Sequence, residues 1–313
     1  MKRTILSVAA AGLFAMAGAA QSSTITFTFQ PCGNNTCAVQ ATTLDWQPGN
    51  VLAQNGAGGP GGIAPGTIVD NLYQANLTSV LNSGTNVFNN GDDGVFFTVV
   101  AGFKEVAIVG GLAAVFQVIP GAPNYFEVYR NTTAIGNDLA GTGFTAGDLV
   151  LAGTIVSGFS TTAATSFVVN PDGSLSIVAN ADLDNFGENN YPGVTTITTV
   201  GGADITSVLT FIDADYFPDL AQGDSIVTAL TASNLGTPFN QTNPSAQFWD
   251  GSLAMLIASN IGAQNGITGP NFQFQADAST TFTRQAVPEP ASLALIGLAL
   301  MGAAGAIRRR RTA

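Results

Sequence analysis

Residues 23–30 read "STITFTFQ". Ile25, Phe27 and Phe29 share one parity, and Thr24, Thr26 and Thr28 share the other. Successive side chains of a strand point to opposite faces, so this alternation predicts a half-buried β-strand with an aromatic inner face. The same grammar recurs along the chain. "GVFFTVVAGFKEVAIVG", "AAVFQVIP", "NYFEVYR", "GDLVLAGTIV", "TSFVVN", "GSLSIVAN", "GVTTITTVGG", "ADITSVLTFID", "DSIVTALTAS" and "NFQFQADASTTFT" read as further strands. "NNGDDG", "PGAPN" and "NPDGS" stand between them as turn formers. Asn170-Pro171-Asp172-Gly173, between "SFVV" and "LSIVA", is the clearest hairpin signal.

Many short strands with frequent turns predict an all-β fold, an antiparallel β-sandwich or a jelly-roll-like domain. Two stretches have helical spacing, "GTIVDNLYQANLTSVLN" and "DGSLAMLIASNIG", and the first reads equally as a strand pair. "QNGAGGPGGIAPG", residues 54–66, is a loop by composition. Ser22 to Val51 is too short to fold well alone, so the body is expected to be one domain.

The two ends differ from the body. Residues 1–19 have the layout of a secretory signal peptide: Lys2 and Arg3, an apolar stretch from Ile5, and Ala17-Gly18-Ala19 for cleavage. The body, residues 20–286, then holds three basic residues (Lys104, Arg130, Arg284) against nineteen acids, a net charge of −16. Such a surface repels nucleic acid and anionic lipid. A cationic partner, a divalent metal or a neutral glycan stays open.

Cys32 and Cys37, in "PCGNNTC", are the only cysteines. Gly-Asn-Asn between them is turn chemistry, and in an oxidising compartment a local disulfide is the favoured reading. The chain has no histidine. That excludes Ser-His-Asp and Cys-His arrangements and a H-E-x-x-H zinc site. The expectation is a protein that is not an enzyme and needs no cofactor.

Two acidic groups remain as candidates. Asp213 and Asp215, in "FIDADYFPD", would share a face if they lay in a strand. Two carboxylates suffice for glycoside hydrolysis, and Tyr216 and Phe217 beside them offer a surface for sugar stacking. This is the pattern for a polysaccharide hydrolase or lyase, although acids at a strand end facing water explain it as well. Asp182, Asp184 and Glu188, in "DLDNFGEN", have a faint likeness to a calcium loop. They lack the bidentate Glu at the expected distance, and Asx turns explain the same letters. Such a site would suit a calcium-dependent glycan-binding module.

The C-terminal residues 287–313 have three parts: Val287-Pro288-Glu289-Pro290, an uncharged run at 291–307, and Arg308, Arg309, Arg310 and Arg311. The run of 17 residues is at the lower limit for a single transmembrane helix. The arginines would stay cytoplasmic by the positive-inside rule. This tail resembles the PEP-CTERM sorting signal of Gram-negative bacteria. The resemblance implies that exosortase recognises Val287–Pro290, that the membrane is crossed transiently, and that the body goes to the surface or matrix. "PNYFEVYR", "LDNFGENNYPG" and "FQFQADASTTF" are similar to flocculation-associated members. That likeness implies adhesion, biofilm or floc formation together with an exopolysaccharide.

Overall fold

The structure is a computed structural model. It describes residues 22–56, 63–111, 113–137, 142–164, 167–169, 171, 175–177, 199–233 and 272–285. By its contacts the chain divides into Thr24–Phe282 and a second unit formed by Met1–Ser23 and Thr283–Ala313. The signal segment 1–19, the membrane run 291–307, the candidate helix at 250–262, Asp182, Asp184, Glu188, Val287–Pro290 and Arg308–Arg311 lie outside the described residues.

The described residues form fifteen strands and no α-helix. They are β1 (Ser22–Thr24), β2 (Phe27–Phe29), β3 (Val39–Ala41), β4 (Thr43–Gln54), β5 (Ile68–Asn82), β6 (Thr85–Asn89), β7 (Phe96–Val109), β8 (Ala113–Val118), β9 (Tyr125–Asn131), β10 (Asp148–Ala164), β11 (Phe167–Val169), β12 (Leu175–Ile177), β13 (Thr199–Ile212), β14 (Ser225–Ser233) and β15 (Phe272–Gln285).

Pairing follows chain order. β4 pairs β5, β5 pairs β7, β7 pairs β8 and β9, and both of these pair β10. β13, β14 and β15 follow in turn, and β15 pairs back to β4. The sheet therefore closes on itself. β8 and β9 lie end to end in one position, so eight positions complete an antiparallel, up-and-down barrel. β6 is a hairpin arm on β5, while β2–β3 and β11–β12 are separate hairpins. The all-β, antiparallel expectation holds, and the hairpin around Pro171 is present.

The sandwich or jelly-roll geometry is corrected by this closure. Those folds keep two sheets with crossing connections, whereas here one sheet is joined by sequence neighbours and closes through β4 and β15. The strands are also longer than the turn signals implied. β13 runs straight through Gly201-Gly202 because a Cβ at Gly201 would stand 1.9 Å from the Thr161 carbonyl oxygen of β10. Glycine there permits close approach of two backbones rather than a turn. The helix-like stretch at 66–82 is corrected likewise: Ile68–Asn82 is the single strand β5. Its middle, Asn71 to Leu77, is buried on both faces, which erases the two-residue alternation.

The inward residues form the main core. They include Leu44, Trp46, Val51, Tyr73, Leu77, Val99, Phe126, Ile155, Leu209, Ile226 and Phe282. One end of the barrel is closed by aromatic rings. Phe27 and Phe29 of the β2–β3 hairpin pack on Phe282 at 4.2 Å, Phe97 at 5.2 Å and Phe217 at 5.4 Å between centroids. A second, outer cluster of Leu52, Leu72, Val100, Tyr125 and Phe144 lies under the β9–β10 connection.

Candidate functional site

The barrel interior is not uniformly apolar. Trp46 Nε1 donates to Thr280 Oγ1 at 2.9 Å, and Thr280 and Thr228 hydroxyls meet at 2.9 Å. These tie β4, β14 and β15 together where closure occurs. Nearer the end where β4 stops and β5 begins, the core leaves a cavity of about 70 Å³. Its walls come from every position of the barrel: Val51 and Ala53, Val69, Asn71 and Tyr73, Phe103 and Glu105, Phe116, Ser160 to Thr162, Gly202 and Ala203, Leu230, and Ala276, with Gly56 and Ile63 beside them.

Glu105 is the one acid among the buried described residues, 3 % exposed. Parity places it there. Phe97, Val99, Ala101, Phe103, Glu105 and Ala107 share the inward face of β7, and five of the six are apolar. Two neutral donors converge on one carboxyl oxygen: Asn71 Nδ2 reaches Oε2 at 2.8 Å and Ser160 Oγ reaches it at 2.9 Å. Oε1 has no hydrogen-bond partner. Burial pushes the carboxyl up to about 7, against the opposing pull of the Ser160 and Asn71 hydrogen bonds. On the outer face of the same strand Lys104 pairs with Asp70, so the neighbouring cation is spent elsewhere.

The sequence-derived candidates fare differently. Cys32 and Cys37 are joined by a disulfide, with Asp93 beside it. Asp213 and Asp215 do not share a strand face, which corrects that expectation. β13 ends at Ile212, and the chain turns at once: Tyr216 and Phe217 donate their N–H groups to the Asp213 carbonyl at 3.1 and 3.0 Å. The Asp213 Oδ1 accepts the Asp215 N–H at 3.0 Å, the Asx-turn use of a carboxylate. Phe217 is fully buried in the aromatic plug. The Tyr216 ring carries the Arg130 guanidinium 5.4 Å from its centroid, and a Cβ at Gly33 would sit 3.1 Å from its hydroxyl. Burial raises the Tyr216 phenol; Arg130 lowers it, while Asp213, Asp148 and Asp215 raise it further.

Sequence reasoning passed over Glu105, Asn71 and Ser160. The available signal was a charge or amide on the apolar parity of a strand. Their convergence depends on register, since Val69 pairs Glu105 in β5–β7 while Ser160 pairs Phe116 in β8–β10.

Fold and interior together define a closed antiparallel barrel with an acidic body and a buried carboxyl, one oxygen of which has no hydrogen-bond partner. The address is carried by the tail: residues 286–311 match the PEP-CTERM protein-sorting motif. This motif implies an exported bacterial protein that is processed by exosortase at the membrane. Compared with curated proteins and with solved structures, the chain matches none.

Proposed function

We propose that this chain is a non-enzymatic surface or matrix protein of a Gram-negative, exopolysaccharide-producing bacterium, acting in adhesion, biofilm or floc formation. The sorting motif at 286–311 carries this reading. Residues 1–19 direct export. The run at 291–307 holds the chain in the cytoplasmic membrane, and Arg308–Arg311 keep its end inside. Exosortase acts at Val287–Pro290 and frees the barrel to the surface or matrix. Three features support a structural role. Closure pairs both edges of each of the eight barrel positions among the described residues, which leaves fewer free edges to seed aggregation outside the cell. The net charge of −16 allows divalent ions to bridge it to acidic polysaccharide. Asp213 and its neighbour are engaged in a turn instead of facing each other across a cleft.

The test is intact mass in each fraction of the native host, together with settling of a strain lacking the gene. Product lacking both ends in the matrix or medium, and loss of flocs in that strain, is the expected result. A full-length chain retained in the inner membrane, or unchanged flocculation, overturns the reading.

A further inference from the structure

The polar geometry of the barrel interior is one group short of complete. Glu105 presents one oxygen to Asn71 and Ser160 and leaves Oε1 without a partner. A buried carboxyl oxygen without a donor is costly, and a charged donor is the strongest remedy. Among the described residues no lysine or arginine lines the cavity. Lys104 pairs with Asp70 and Arg130 lies over Tyr216. Among the described residues, then, the cavity has no cation in its lining.

We propose that the barrel interior binds a small organic amine, held as its ammonium ion by Glu105, with its apolar body against Val69, Phe103 and Phe116. Four observations point to this class. The two neutral donors on Oε2 stabilise the carboxylate against the burial that opposes it, and the carboxylate is the form that attracts an ammonium group. The rings of Tyr73, Phe103 and Phe116 line the same space, and aromatic faces attract organic cations. The remaining lining is chiefly Val, Ala, Ile and Leu, which suits an alkyl body better than a polyol. The acidic body concentrates cations around it and speeds their encounter.

Size narrows the class further. The cavity of about 70 Å³ is smaller than the ~150 Å³ apolar cavity that takes up benzene. It suits a short alkylamine of about three or four non-hydrogen atoms. Affinity is bounded accordingly by the ceiling per non-hydrogen atom that holds for the best small ligands. Dissociation constants between tens of micromolar and millimolar are expected, on the order of that bound. This inference is independent of the sorting route and of any role in flocculation.

The test is ligand-observed NMR on the purified full-length chain, titrated with n-propylamine and with its neutral isostere n-propanol. Saturable binding of the amine, at least about tenfold tighter than the alcohol as a charge-assisted hydrogen bond requires, supports the proposal. Glu105→Gln should remove that preference and leave the thermal melting transition in place. Equal binding of amine and alcohol, or no saturable binding of either, overturns it. The wild-type comparison decides the matter even if Glu105→Gln does not fold.

Discussion

Asn124 bridges the break between β8 and β9 to Lys104, whose backbone N–H donates to Asn124 Oδ1 at 2.9 Å. The same side chain donates from Nδ2 to the Ile119 carbonyl at 3.0 Å and the Ile155 carbonyl at 3.3 Å. One amide thus joins both neighbours of the interrupted barrel position. Replacing Asn124 with Ala leaves the Lys104 N–H, and some of the carbonyl capacity, unsatisfied in a buried place. The expected loss is about 1–3 kcal/mol. A fall in the urea midpoint without a change in slope checks it. Asn124→Asp should be at least as damaging, since it exchanges the donor for a charge that burial penalises.

A pH dependence follows from Glu105. Its folded carboxyl titrates at about 7, above the ordinary value of 4.5. Folding therefore favours the protonated form. The stabilisation is complete below about pH 4.5 and is lost as pH rises through the window from 4.5 to 7. The amount at stake is about 3 kcal/mol. Asn71 and Ser160, the groups hydrogen-bonded to the carboxyl, do not titrate. Glu127 and Asp277 are also raised by burial and add slope of the same sign. Glu105→Gln should flatten the curve between about pH 4.5 and 7 and leave the slope that Glu127 and Asp277 add. Equilibrium unfolding at several pH values measures both.

How much of this was readable beforehand depends on distance along the chain. Alternation in "NFQFQADASTTFT" is local, and that stretch is β15; "STITFTFQ" keeps Phe27 and Phe29 buried on one parity but is broken at Ile25–Thr26 into β1, which pairs β15, and β2, which pairs β3. Closure is not local. It rests on β4 meeting β15, with Trp46 and Thr280 hydrogen-bonded across 234 residues, and no short pattern encodes that pairing. β4 itself escaped notice because bulges around residues 46–50 interrupt its alternation. The candidate site divides along the same line. Glu105 is conspicuous as a charge on the apolar parity of β7. Asn71 and Ser160 become its partners only through registers set across three strand pairs. Asp213 and Asp215 show the opposite error. Their i, i+2 spacing has meaning on a strand, and Ile212 is where the strand ends.

Reduction tests the N-terminal plug. The Cys32–Cys37 disulfide closes a loop of a few residues between β2 and β3, the hairpin that places Phe27 and Phe29 against Phe217 and Phe282. Chain-entropy arguments give about 2 kcal/mol for so short a loop. Stability should fall by about that amount on reduction, with the far-ultraviolet β signal retained, because β2 and β3 form a sheet separate from the barrel. Denaturant titration with and without a thiol reductant reads the difference.

The β9–β10 connection is a flap fastened at three points over the outer faces of β5 and β7. Asn76 Nδ2 donates to the Gly136 carbonyl at 3.0 Å, and Asn76 Oδ1 accepts the Gly136 N–H at 2.8 Å. Thr98 Oγ1 donates to the Phe144 carbonyl at 2.6 Å. Phe144, 1 % exposed, packs with Leu52, Leu72, Val100 and Tyr125 beneath it. Gly136 is required by contact, since a Cβ there would stand 2.6 Å from the Phe144 ring. Gly136→Ala should therefore lift the ring and cost about 1–3 kcal/mol as overpacking. Phe144→Ala should cost about 3–5 kcal/mol by deleting the ring. If the flap opens as a unit, the two changes remove one shared contact, and the double variant should lose less than the sum. Hydrogen exchange distinguishes this from global loosening. The Gly136 amide should lose protection in either variant, while the β4–β15 amides that close the barrel keep theirs.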